Sequence, residues 1–153
     1  MSQITNDTEF KQALLALDST QQRVVAALFV EHVLPLSNDE RLNRVIKVAT
    51  DNNASQDEIS NALKSAKAAT FDSHTRCGAE GNWTEQAGYF VARAAVAAVT
   101  PQAQSQSGNP AWQAAMSSRM AQTSLLIGDE SNEAPIHSES EWQYQTLSNY
   151  LKM

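Results

Sequence analysis

The sequence predicts an all-α fold, a single-domain bundle of about six to seven amphipathic, partly Ala-rich helices. Three observations carry that expectation. Two segments, Phe90-Val-Ala-Arg-Ala-Ala-Val-Ala-Ala-Val99 and Pro110-Ala-Trp-Gln-Ala-Ala-Met116, combine the strongest helix former with a few large anchors. Such small side chains let helix axes approach closely around the anchors. Capping and breaking signals divide the chain into seven segments of helical length, and no segment shows the period-two alternation of a half-buried strand. At 153 residues, the chain is long enough to enclose a core without disulfide or metal staples.

The first helix is expected from about Thr8 to Leu17, N-capped by Asp7, with Phe10, Leu14 and Leu17 on one stripe. Asp18-Ser19-Thr20 breaks it. A second, from about Gln21 to Leu34, turns Val25, Leu28, Phe29, His32 and Val33 to one face and stops at Pro35. Ser37-Asn-Asp-Glu40 reads as a capping box opening a third helix to about Thr50, with Leu42, Val45, Ile46 and Ala49 at amphipathic spacing. After the polar linker Asp51-Asn-Asn-Ala54, a second box, Ser55-Gln-Asp-Glu58, opens a fourth helix. It carries Ile59, Ala62, Leu63, Ala66 and Thr70 inward and ends at Gly78 and Gly81.

Asn82 or Thr84 caps the fifth helix, which ends before Pro101. Residues 102–108 are polar and form an exposed loop. Asn109-Pro110 then supplies an N-cap followed by proline at the first helical position. This sixth helix carries Trp112, Ala115, Met116, Met120 and Thr123, and Gly128 ends it. Residues 129–138 form a second exposed loop. A last helix, from about Glu139 to Leu151, is anchored by Trp142, Leu147, Tyr150 and Leu151.

Composition excludes several classes. Hydrophobic content of 42% with 18% charged residues is that of a globular chain rather than a disordered one. A net charge of −6 argues against nucleic acid as a partner, because phosphate binding needs a basic surface. The single cysteine, Cys77, cannot form an intramolecular disulfide. No apolar stretch approaches the roughly 20 residues of a membrane span, and the start lacks the pattern of a secretory signal, so the expected compartment is the cytoplasm and no membrane partner is expected. Charge is unevenly spread: six basic residues against four acidic ones lie between Arg41 and Arg76, whereas Asp129 to Glu141 holds five acids and no Lys or Arg. That acidic stretch reads as a solvated loop, or as a surface that attracts a basic partner or folds back on the basic middle helices.

Catalytic signatures are missing from the sequence. His74 and Cys77 are three residues apart, but three histidines without paired spacing argue against a metal, and no cofactor is expected. A lone cysteine reads as a small buried hydrophobe rather than a nucleophile. Elbow, P-loop and dinucleotide motifs do not occur, and the pairs Asp39-Glu40 and Asp57-Glu58 are explained by capping. The expectation is a protein that is not an enzyme.

The dense polar cluster from Thr70 to Trp83 reads first as a helix end whose carbonyls take donors from His74 and Arg76. Its functional reading is a pocket or partner-binding edge at which Arg76 or Arg93 meets an anion or a carboxylate. Arg93 and Arg119 each stand alone in an apolar helix, where they snorkel, or pair if buried. Trp83, Trp112 and Trp142 read as core anchors; one left exposed would mark a binding hot spot.

The close of the chain, Glu141-Trp-Gln-Tyr-Gln-Thr-Leu-Ser-Asn-Tyr-Leu151, resembles the C-terminal segment of a family of small all-helical immunity proteins from bacterial polymorphic-toxin systems. The Arg-containing amphipathic helix from Asp39 to Ala49 is similar too, as are the Ala-rich stretches Ala62 to His74 and Ala92 to Val99. The resemblance implies neutralisation of a toxin by direct binding, without chemistry of its own; no binding residues carry over. The leading expectation is therefore a small protein-binding module, its partner a basic toxin domain. The candidate surface is His74, Arg76, Trp83 and Arg93, with Arg119 and the acids Asp129, Glu130 and Glu133. The alternative is a small-molecule-binding bundle or an unfamiliar enzyme. Its pocket would lie between helices four, five and six, where Ala and Gly88 leave room, lined by His74, Arg76, Tyr89, Arg93, Trp112 and Arg119. A homodimer follows if Val91, Val96 and Val99 cannot all be covered within one chain.

Overall fold

The computed structural model describes residues 4–80, 83–101, 108–128 and 138–152, with side chains for all of these except 76–80, 83–84, 125–128 and 138. Among the described residues the chain forms seven α-helices and no strand. They are α1 (Asp7–Leu15), α2 (Ser19–Val33), α3 (Glu40–Ala49), α4 (Gln56–Glu80), α5 (Trp83–Val99), α6 (Pro110–Gly128) and α7 (Ser138–Leu151), with a 3-10 turn over Leu34–Leu36.

Local chemistry explains most boundaries. Asn6, not Asp7, caps α1, its Oδ1 accepting from the Glu9 amide at 2.9 Å. Asp7 becomes the first helical residue, and its carboxylate is available to a distant partner. Asp18 does more than break the chain: with Gln21 it forms a reciprocal capping box, which starts α2 at Ser19. The expected box at Ser37 is not made. Asp39 caps α3 instead, while Ser37 Oγ accepts from the Asp39 amide. The box at Ser55 and Glu58 does form, both bonds at 3.1 Å.

Helix α4 continues through Gly78 to Glu80, so that glycine does not end it. Thr84 lies inside α5 rather than capping it, and Gly81 and Asn82 are outside the described residues. Asn109 caps α6 as expected, accepting from the Trp112 amide at 3.2 Å. Gly108, before it, has φ +71°, the left-handed conformation that glycine adopts without steric cost.

Helix α5 is the centre of the bundle. It packs along α6 on one side and α4 on the other, with α2 and α3 against its inner face. Val91, Ala94, Ala95, Ala98 and Val99 are buried there, in one core cluster with Ala66 and Ala69 of α4 and Ala111, Ala114 and Ala115 of α6. Covering Val91 and Val99 within one chain leaves Val96 alone of the three half-buried. The other end of the core is aromatic. Phe10 is fully buried, with its ring centroid 5.7 Å from Phe29, 6.1 Å from Trp112 and 5.3 Å from Tyr144. These rings close α1 and α7 onto α2 and α6.

Several expected inward positions turn out to be edges. Leu28 is half-buried and His32 is exposed. Ile59, Leu63 and Thr70 are half-buried, because the buried stripe of α4 is Ala62, Ala66, Ala69 and Ser73. Met120 of α6 is 49% exposed. Among the described residues no helix is long and apolar enough to cross a membrane.

Candidate functional site

The rotation of α4 leaves a face that no helix among the described residues covers. Lys67, Thr70, Phe71 and His74 occupy its i, i+3, i+4 and i+7 positions and form one wall of a groove. Tyr89, Arg93, Val96 and Ala97 of α5, with Thr100 just past its end, form the floor. Trp112, Gln113, Met116, Ser117 and Met120 of α6 form the other wall. The groove has a volume of about 750 Å³.

Its surface is more apolar than its residue types suggest. The hydroxyls of Thr70 and Thr100 donate to their own helices, at Ala66 O (2.8 Å) and Val96 O (2.6 Å), so both are spent on backbone carbonyls. Phe71 is 71% exposed and stands, with Met120, among the few large apolar side chains that reach solvent in the described chain.

Among the described residues the charged side chains that line the groove, Lys67 and Arg93, are of one sign; the His74 imidazole lies with them, and no described carboxylate does. The Arg93 guanidinium lies 5.8 Å from the ring centroid of Tyr89 and 5.9 Å from that of Phe90, and has no carboxylate partner among the described residues. Lys11 Nζ sits 5.2 Å from the Trp112 ring centre. Asp72, the acid on α4 nearest in sequence, is engaged elsewhere: Arg41 holds it at 2.9 Å while also bonding Asp39 at 2.7 Å. Those bonds, Asp39's first, raise the Arg41 pKa above its ordinary value.

Arg119 does not belong to this groove. It lies where α1, α6 and α7 meet, with 16% of its side chain exposed. Its guanidinium donates to both Asp7 oxygens, at 2.9 and 3.1 Å, and its Nε donates to Gln143 Oε1 at 2.8 Å. Gln143 in turn donates to Ala115 O at 3.0 Å, and Tyr144 OH donates to Asp7 at 2.6 Å. Phe10, Trp112 and Tyr144 present their rings to the cation, with centroids 5.6 to 5.9 Å away. The hydrogen bond from Arg119 holds the Asp7 carboxyl below the usual carboxylate range, against the opposing effect of burial. Burial, and then the bond to Asp7, push the Tyr144 hydroxyl up. The hydrogen bonds of Arg119, Gln143 and Tyr144 thus join α1, α6 and α7 within the molecule, which makes the arrangement a structural tie.

The last helix is tied down a second time. Glu139 is 4% exposed and receives Gln122 Nε2 at 3.3 Å, with His32 Nδ1 3.0 Å from its Oε1. The His32 ring stacks on Trp142 at 3.6 Å and 11°. Glu139 is therefore an internal carboxylate and not part of an acidic contact surface, as the charge pattern had suggested.

The pocket expected between helices four, five and six is present, and it brings together His74, Tyr89, Arg93 and Trp112. Gly88 does not make room for it: a Cβ there would face Leu36 O at 3.8 Å and Ser37 Cα at 4.0 Å, on the α2–α3 side. The side chains of Arg76, Cys77 and Trp83 and all of Asp129, Glu130 and Glu133 lie outside the described residues. Sequence reasoning missed Lys67 and Phe71, although their spacing with Thr70 and His74 is that of one helix face. It also missed Asp7 and Tyr144, which no local pattern connects to Arg119. Among the described residues no group of three His, Cys, Asp or Glu side chains is placed to hold a metal ion. No protein-family model, curated protein or solved structure matches the chain.

Proposed function

We propose that this protein works by binding a segment of another protein in the groove between α4, α5 and α6. The observation that supports this most directly is the exposed apolar pair, Phe71 and Met120, on the walls of a groove whose charged side chains among the described residues, Lys67 and Arg93, are both cations in a chain of net charge −6. Burying side chains of that size against a partner is worth roughly 1.5–3 kcal/mol each. Flanking cations add orientation and a salt-sensitive association rate. Neutralisation of a toxin, which the resemblance of the C-terminal segment implies, is the specific form of this reading and requires no chemistry.

A second reading has its own support. A volume of about 750 Å³ falls within the roughly 300–1,000 Å³ of small-ligand sites, and an apolar floor with cations beside it suits an anionic amphiphile.

Photo-crosslinking tests the first reading. The photoreactive residue p-benzoylphenylalanine is placed at Phe71, at Met120 and, as a control, at the exposed Arg44 of α3. The expected result is a protein adduct of defined mass from positions 71 and 120, missing from position 44 and lost when Arg93→Glu is added. No protein adduct, or the same adducts from position 44, refutes the reading.

A further inference from the structure

The groove's shape and charge specify its occupant more narrowly than "a protein segment". Resting on the reading above, we propose that the occupant is an acidic amphipathic helix of about three turns, laid over α5 between α4 and α6.

Length comes first. The floor runs from Tyr89 on α5 to Thr100 just past its end, eleven steps that rise about 16 Å. A helix of that length buries apolar residues at i, i+3 or i+4, and i+7, the anchor pattern of helix-in-groove recognition. Surface texture agrees with it. Both walls and the floor are helical faces, whose side-chain ridges accept those of another helix. Val96 and Ala97 keep the floor low, and Met116 and Met120 supply unbranched, adaptable side chains that repack around varied anchors. Strand addition has no template, because the described residues contain no sheet edge.

Charge then fixes composition and side. Lys67 and Arg93 lie on the α4 and α5 side, whereas the α6 residues Gln113, Ser117 and Met120 carry no charge, and Lys11, over the Trp112 ring, is not among the side chains that line the groove. The partner helix therefore carries Asp or Glu along one edge of its apolar stripe. The cations reach it across the water-exposed mouth, so the pairing is worth more in selecting a partner and speeding its capture than in raw affinity.

The test is selection from a display library of random peptides about 14 residues long, enough to span the groove as a helix. The full chain is the bait, and the double variant Lys67→Glu, Arg93→Glu is the counter-bait. All substituted side chains are exposed, so circular dichroism should be unchanged. Enriched peptides are expected to show apolar residues at helical spacing with acids along one edge. They should bind about tenfold or more weaker to the double variant and to Phe71→Ser, equally to Arg44→Glu, and several-fold weaker as salt rises from about 50 to about 300 mM.

Enrichment of proline-rich, basic or aperiodic peptides overturns the proposal. So does binding of dodecanoate with no peptide enriched, or a concentration-dependent dimer that Phe71→Ser dissolves. A groove-specific crosslinked protein without any acidic helical peptide overturns the acidic-helix occupant and leaves the binding-module reading standing. Loss of both crosslink and peptide overturns the two together.

Discussion

Two regions of this molecule are built around a lone arginine beside aromatic rings, and they have opposite roles. At the junction of α1, α6 and α7, Arg119 lies against Phe10, Trp112 and Tyr144 and is held by Asp7 and Gln143. In the groove, Arg93 lies against Tyr89 and Phe90 without a carboxylate partner among the described residues. The cation–aromatic contacts alone do not separate the two. What separates them is whether the guanidinium's hydrogen bonds are satisfied within the chain. A partly buried cation has to be paired, and Arg119 is. An exposed cation does not, and Arg93 stays exposed beside an apolar surface that no other described residue covers. The same contrast holds for the large apolar side chains, with Phe10 sealed in the junction and Phe71 standing in the groove wall.

Substitution in pairs sharpens this contrast. The largest effect is expected at Phe10: Phe10→Ala should lower unfolding stability by about 3–5 kcal/mol, since the ring is fully buried among three others. Phe71→Ala should stay within about 0.5 kcal/mol, as exposed positions do. Urea titration of both variants gives the comparison, and a comparable loss at Phe71 would mean that its ring packs against the bundle after all. Next, Arg119→Ala should cost about 2–3 kcal/mol through lost charged hydrogen bonds and ring contacts. Arg93→Ala should again stay within about 0.5 kcal/mol. If the two cost the same, the distinction between tie and groove is wrong.

Smaller effects test the edges of the two regions. Gly88→Ala should raise stability by about 0.5–1 kcal/mol, because a Cβ there meets only ordinary contacts and glycine weakens a helix interior. A loss measured by thermal melting would show that the approach of α5 to Ser37 is tighter than these distances imply. The smallest effect is on pH dependence. Asp7 has a lowered folded pKa, so its contribution to stability is complete above about pH 4 and is lost as pH falls through the folded value. Tyr144 has a raised one, so its contribution is complete below about pH 10 and is lost as pH rises through the folded value. In Asp7→Asn the acid limb of the urea midpoint against pH should flatten; in Tyr144→Phe the alkaline limb should. Both changes are modest, because half of the Asp7 side chain is exposed to screening solvent.

Helices were legible because their signals are local. The Ser55–Glu58 box, the Asn109-Pro110 start and the apolar stripe of α3 involve residues within one or two turns, and the structure contains each of them. Where two local signals competed, the sequence did not say which would win: Asn6 took the cap of α1 from Asp7, and Asp39 took that of α3 from Ser37. The position of the groove was legible as well, because three consecutive helices with small residues must leave space beside their largest ones. Its wall was not. The face from Lys67 to His74 mixes one aromatic ring with polar residues, and only the packing of α5 against Ala62, Ala66 and Ala69 turns that face outward.

By itself, then, this sequence determined an all-α chain, most of its helix ends, and a surplus of small residues that allows close packing around α5. Tertiary structure alone decided which arginine is a strut and which is exposed in the groove. Asp7 and Arg119 are 112 positions apart, as are no two members of a helix face, and the meeting of α1, α6 and α7 depends on how every intervening helix packs. Capping and amphipathicity act over a few residues and can be read along the chain. Pairing and exposure are properties of the assembled surface, and arise only once the whole bundle has closed.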